Sequence, residues 1–230
     1  MESNPRNLSA RSLVWLAVAL LGGLAALAVL PVDQACSDAM RAIDLPGDLH
    51  KAINLSEVFG HSFGATAILS SLLLVARERR KALWGAVVLT AAAGITANLS
   101  KGTIARVRPH SVGLIEVLSE KAPAVAEVSG TRPTAVGIER VSPSFWDSRQ
   151  RSFPSGHSAT AWGLALGLSL VFPRGAVLFA LFALLACLQR VFSGAHYPSD
   201  VLAGAAIAFL WGAGLTSIPA VRGRFQATPG

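Results

Sequence analysis

The sequence predicts an all-α integral membrane bundle of six transmembrane helices, with a long extracytoplasmic loop between the third and the fourth. Three observations carry that reading. Only 14% of the residues are charged, against about 25% in an average globular chain. The apolar residues, 52% of the chain, are collected into blocks. The short segments between those blocks are basic on alternate sides.

The blocks follow in chain order. Ser12–Val32 contains no Asp, Glu, Lys or Arg, and neither do Val58–Ala76, Ala82–Ser100 and Val201–Val221. Each is about 20 residues, enough to cross roughly 30 Å of hydrocarbon at 1.5 Å per residue. Ser158–Pro173 and Gly175–Gln189 are shorter and span only if polar residues at their outer ends are included. The first block is longer than the apolar region of a signal peptide, and no convincing cleavage pattern follows it, so it reads as an uncleaved span. Trp15 and Trp84, near the starts of their blocks, suit a membrane interface.

Six spans place both termini on one side. That side carries Arg6 and Arg11, the run "RERRK" at Arg77–Lys81, Arg174, and Arg222 with Arg224. The first opposite connection, Asp33–Glu57, has only Arg41 and Lys51 against several acids. The positive-inside rule therefore makes the termini cytoplasmic, in a plasma or inner membrane. The segment Lys101–Pro154 opposes the rule, with eight Lys and Arg on the outer side. An anionic substrate held by some of them explains the excess. Pro109–Pro154 is the one long non-apolar insert, with a short helix expected over Val112–Lys121. The chain reads as a single domain over residues 1–230, with its motif core at 101–200. Cys36 and Cys187 have no metal-ligand or redox spacing, and Cys187 is expected free and buried. Gly163 and Gly167, like Gly204 and Ala208, lie four apart and suit close helix packing.

Three polar clusters fall at the same, outer face of this layout: "KGTIARVRP" ending the third span, "FPSGHSA" opening the fourth, and "RVFSGAHYPSD" joining the fifth to the sixth. Each has a bland reading alone. Lys101, Arg106 and Arg108 can snorkel at an interface. Ser155 can cap a helix that Gly156 opens. Arg190, His196 and Asp200 can form a satisfied polar turn. A continued helix would put Lys101 and Arg108, seven apart, on one face until Pro109 stops it.

Together they fit phosphoryl transfer. Lys101, Arg108 and Arg190 supply positive charge, and arginine forks match phosphate oxygens. The helix start at Ser155–His157 attracts anions. His196 has a carboxylate four residues on, Asp200, to orient it as a nucleophile, and His157 is placed to protonate a leaving alkoxide. Asp200 is the one acid in the three clusters. No metal or other cofactor is expected, because the clusters lack a set of carboxylates for one.

Lys101-x6-Arg108-Pro109, Pro154-Ser155-Gly156-His157 and Arg190-x5-His196-x3-Asp200 resemble the signature of the type 2 phosphatidic acid phosphatase superfamily, in its membrane branch. Vanadium haloperoxidases share these motifs. The resemblance implies that His196 is a nucleophile forming a phosphohistidine, that Asp200 orients it and that His157 is the general acid. It implies that Lys101, Arg108, Ser155, Gly156 and Arg190 bind the phosphate. The family's usual serine before the third-motif arginine is Gln189 here, which predicts altered support of Arg190. The expected activity is metal-independent hydrolysis of a membrane lipid phosphate or diphosphate: phosphatidate-type, polyprenyl or lipid A. No nucleic-acid partner is expected. A lipid-linked phosphotransferase is the alternative enzyme. A non-catalytic phospholipid-binding or transport protein would need the cations but not a histidine with its own carboxylate. His61 reads as a packing residue inside the second span, and His110 as a group near the substrate.

Overall fold

The computed structural model describes residues 9–101, 104, 106–111 and 151–226, with the side chains of 222, 224 and 226 excepted. The insert's expected helix over Val112–Lys121 lies outside them. The described residues form helices and connections, with no strand among them. The helices are α1 (Ala10–Val29), α2 (Asp33–Arg41), α3 (Gly47–Gly60), α4 (Ser62–Val75), α5 (Arg80–Ser100), α6 (Gly156–Val171), α7 (Ala176–Phe192), α8 (Pro198–Ser217) and α9 (Pro219–Gln226).

Small residues build the centre. In α6, Gly163 and Gly167 let the backbone of α5 approach. A Cβ added at Gly167 would lie 2.8 Å from the Ala86 Cα, and one at Gly163 would lie 3.0 Å from the Thr90 Cα. Leu83, Leu89, Leu164 and Leu168 fill what remains, all essentially inaccessible. Large apolar side chains face outward instead. Leu20, Leu21, Leu24 and Leu27 of α1 are more than 60% exposed. A surface of that kind is a liability in water but the expected face toward lipid. Helix α1 lies along α8, tied at one end by a buried Ser12–Thr216 hydroxyl pair at 3.0 Å.

Four helical stretches are long and apolar enough to cross a membrane: Ala10–Arg41, Arg77–Ser100, Pro173–Phe192 and Pro198–Ser217. The pair α3–α4 makes a fifth if it is one span bent by 70°. The chain is a multi-pass membrane protein. Helix α6 has 16 residues, about 24 Å at the α-helical rise, and is the short, enclosed member.

Two expectations change. The connection Asp33–Glu57 is not a loop, because it folds into α2 and most of α3. The apolar block Val58–Ala76 is not one helix either. It breaks at His61, whose backbone is extended and whose Nδ1 accepts from the Phe63 N–H at 3.2 Å. Glycines on both sides permit the fold: a Cβ at Gly64 would meet the Val58 carbonyl oxygen at 2.0 Å, and one at Gly60 the His157 carbonyl oxygen at 2.9 Å. The end of α1, the α3–α4 break, the end of α5, the start of α6, the end of α7 and the start of α8 all gather at one end of the bundle.

Candidate active site

The turn after α7 is built by backbone. The Arg190 carbonyl accepts from the N–H groups of Ala195 and His196, each at 3.1 Å. Gly194 sits at φ +67°, a left-handed conformation that side chains other than glycine's resist. The Gly194 carbonyl is contacted by His110 twice, through the backbone N–H at 3.1 Å and through Nδ1 at 2.9 Å. His110 therefore props the turn. Pro198 opens α8, as a first-turn proline should.

His196 precedes that helix rather than lying in it, and it is 1% exposed. Its Nδ1 is 3.5 Å from Asp200 Oδ2, an ion-pair distance longer than a tight hydrogen bond. Burial pushes the His196 imidazolium down to about 4; the Asp200 carboxylate opposes the shift, while Arg108 and Lys101 add to it. The ring is therefore neutral at pH 7.

Asp200 is fully buried, and its oxygens are shared out. Oδ2 accepts from the Tyr197 N–H at 2.8 Å and from the Ser152 hydroxyl. Oδ1 accepts from Arg106 Nη1 at 2.6 Å. Arg106 is thus a partner of the site rather than a snorkelling side chain. Its Nη2 reaches Asp33 Oδ2 at 2.6 Å, and its guanidinium lies 4.0 Å from the Tyr197 ring centroid. Burial works against its charge, but Asp33 and Asp200 outweigh that and raise its pKa. Asp33 also binds the start of α8 through the Ser199 N–H at 3.0 Å and the Ser199 hydroxyl.

Ser155 caps α6, accepting from the Ser158 N–H at 3.3 Å. Its own N–H donates to the Asp200 carbonyl at 2.9 Å, which ties the start of α6 to the start of α8. Gly156 has no room for a side chain, since a Cβ there would lie 2.7 Å from Asn98 Oδ1. His157 follows, one ring away from His61 at 5.5 Å between centroids.

Arg190 Nε donates to Gln189 Oε1 at 2.6 Å. Gln189 thereby contacts Arg190 directly, from the position where the family's usual serine stands. Arg190 Nη2 is 2.8 Å from Glu57 Oε1, and the same oxygen is 3.7 Å from His157 Nε2.

Lys101 and Arg108 do not share a helix. α5 ends at Ser100, eight residues before Arg108, and Arg106 is bridged to Arg151 instead. The cations still converge. Burial pushes the Lys101 ammonium down to about 8, helped by Arg108 and Arg151 and opposed by Asp200. Burial likewise lowers Arg108, with Arg190 adding to it. Lys101, Arg108, Ser155, Gly156, His157, Arg190, His196 and Asp200 are thus brought to one place. Asp33, Glu57 and Arg151 join them without having been singled out in the sequence. The nearness of Arg151 to the "PSGH" run was a readable signal, whereas Asp33 and Glu57 had none, because each lies far from the motifs in the chain.

The sequence profile of the PAP2 superfamily matches residues 82–224. Two lipid A 1-phosphatases, from Rhizobium etli and Rhizobium johnstonii, are each 35% identical, over 59% and 64% of this chain and 52% and 54% of their own lengths. The chain thus spans about half the length of these two relatives. A decaprenylphosphoryl-5-phosphoribose phosphatase of Mycobacterium tuberculosis is 33% identical over 79% of this chain and 86% of its own length.

Proposed function

This chain belongs to the PAP2 superfamily, and from that premise we propose that it is a metal-independent phosphatase of a membrane lipid phosphate or diphosphate. One observation carries the reading: the buried His196–Asp200 pair meets Lys101 and Arg108, with His157 and Arg190 beside it on a shared Glu57 oxygen. In this mechanism a His196 nitrogen attacks phosphorus, and the bond from phosphorus to the lipid oxygen breaks. Asp200 fixes the ring and stabilises its charged form. His157 gives its proton to the leaving oxygen. Water then attacks the phosphohistidine, returns a proton to His157, and inorganic phosphate departs. Lys101, Arg108 and Arg190, with the helix start at Ser155 and Gly156, hold the phosphate oxygens.

The substrate is an amphiphile. Relatives named for lipid A and for a decaprenyl-linked phosphoribose support that class. So does an apolar cavity of about 1070 Å³ beside Glu57, lined by Leu55, Phe59, Ile68, Leu72, Phe179 and Phe182. The membrane layout that fits is six crossings, by α1, the bent α3–α4 pair, α5, α6, α7 and α8. It belongs to a single domain with cytoplasmic termini, so the site opens on the outer face.

Purified protein in detergent should release phosphate from a lipid phosphate in the presence of EDTA, with inhibition by orthovanadate. A strict requirement for Mg²⁺ would sink this mechanism. His196→Ala should lower turnover by at least about a thousandfold.

A further inference from the structure

The phosphate site contains a carboxylate that works against phosphate. Glu57, in the last turn of α3, is 37% exposed, and its Oε1 pairs with Arg190 Nη2 at 2.8 Å. Arg190 is 9% exposed and presents its Nε to Gln189. A phosphate approaching the Nη2 edge of Arg190 meets Glu57 there, and two anions on one arginine repel. The same Glu57 oxygen is 3.7 Å from His157 Nε2, a buried atom with no hydrogen-bond partner among the described residues. Around the His157 ring, from the other elements, stand His61, Lys101, Arg190 and His196. All four can add only positive charge or none. Glu57 is the carboxylate that the His157 ring has within 4 Å among the described residues.

The geometry points to Glu57 as an exchanging counter-ion and positioning residue: it pairs with Arg190 until phosphate displaces it onto His157, whose protonated form it then stabilises. This rests on the phosphatase reading above. The proton that His157 gives to the lipid oxygen is thereby secured when, and only when, phosphate occupies Arg190. Lipid departs protonated, His196 carries the phosphoryl group, and water restores the proton to His157. Glu57 shares no bond-making step and touches no reacting atom.

Glu57→Gln keeps an acceptor for Arg190 and removes the charge. Inorganic phosphate, titrated calorimetrically into the purified full chain, should bind Glu57→Gln about five- to tenfold more tightly than the native protein. For a lipid phosphate, whose alkoxide needs a proton to leave, kcat/KM should fall about tenfold or more. For 4-nitrophenyl phosphate, whose leaving group needs none, kcat/KM should hold or rise. Glu57→Asp should recover part of the lipid phosphate rate. Equal losses on both substrates, or weaker phosphate binding, would make Glu57 a mere support for Arg190 and overturn the assignment. The binding measurement reads Glu57 even without turnover. If the native chain releases no phosphate while the binding gain stands, the phosphatase reading alone falls.

Discussion

Lys101 is the residue at which pH should act. Its ammonium, lowered to about 8 by burial and by Arg108 and Arg151, is protonated below that value and neutral above it. A lowered pKa means the positive charge is lost on raising pH sooner than for an exposed lysine at 10.5. Since kcat/KM reports the free enzyme, it should decline above about pH 8 as the phosphate clamp loses a charge. Lys101→Arg should carry that limb upward, because a guanidinium stays protonated. An unshifted limb in Lys101→Arg would place the titration elsewhere. The grouping of His196, Asp200 and Arg190 was legible in the sequence, because their spacing survives as a turn. The Asp33–Arg106–Asp200 chain was not, since 73 residues separate Asp33 from Arg106 and nothing in a linear pattern couples them. Asp33→Asn leaves the half-enclosed Arg106 short of one charge partner. Arg106 keeps Asp200, so the cost should fall below the roughly 3–5 kcal/mol typical of a buried charge left with no partner. Thermal unfolding in detergent should show that loss, and turnover should drop as Asp200 loses its held geometry.

Elements were readable where composition decides and unreadable where geometry does. Apolar blocks announced most of the long helices, and Ser155 and Pro198 marked two helix starts correctly. The break at His61 falls inside an uncharged apolar run, Val58–Ala76, so that run alone does not mark it. The helix expected through Lys101 to Arg108 fails for a related reason: equal spacing of two cations on a helical wheel also fits two cations joined by irregular chain. Packing between α5 and α6 depends on glycine. Gly167→Leu forces a side chain where a Cβ alone would be 2.8 Å from the Ala86 Cα. Overpacking commonly costs about 1–3 kcal/mol, occasionally more. A lower midpoint of thermal unfolding, or loss of the monodisperse peak on size exclusion, should report it. Gly163→Ala, at a 3.0 Å approach to the Thr90 Cα, should do less.

At the scale of the molecule, the proposed six-crossing layout makes one test decisive. A single cysteine placed at Trp146, in a chain whose Cys36 and Cys187 are replaced, should react with a membrane-impermeant thiol reagent from outside intact cells. Labelling only after the inner face is opened would invert the layout. The two native cysteines are free in the structure, Cys187 buried and Cys36 partly so, so their replacement breaks no disulfide. The family match begins at residue 82, yet Asp33 and Glu57 lie upstream of it, on α2 and α3. The upstream helices therefore supply, from outside the matched stretch, the carboxylates that steady Arg106 and pair with Arg190. Exchanging residues 9–76 for the corresponding stretch of a relative would leave all eight motif side chains in place. It would nonetheless change the support of Asp200 through Arg106 and the carboxylate beside Arg190 together.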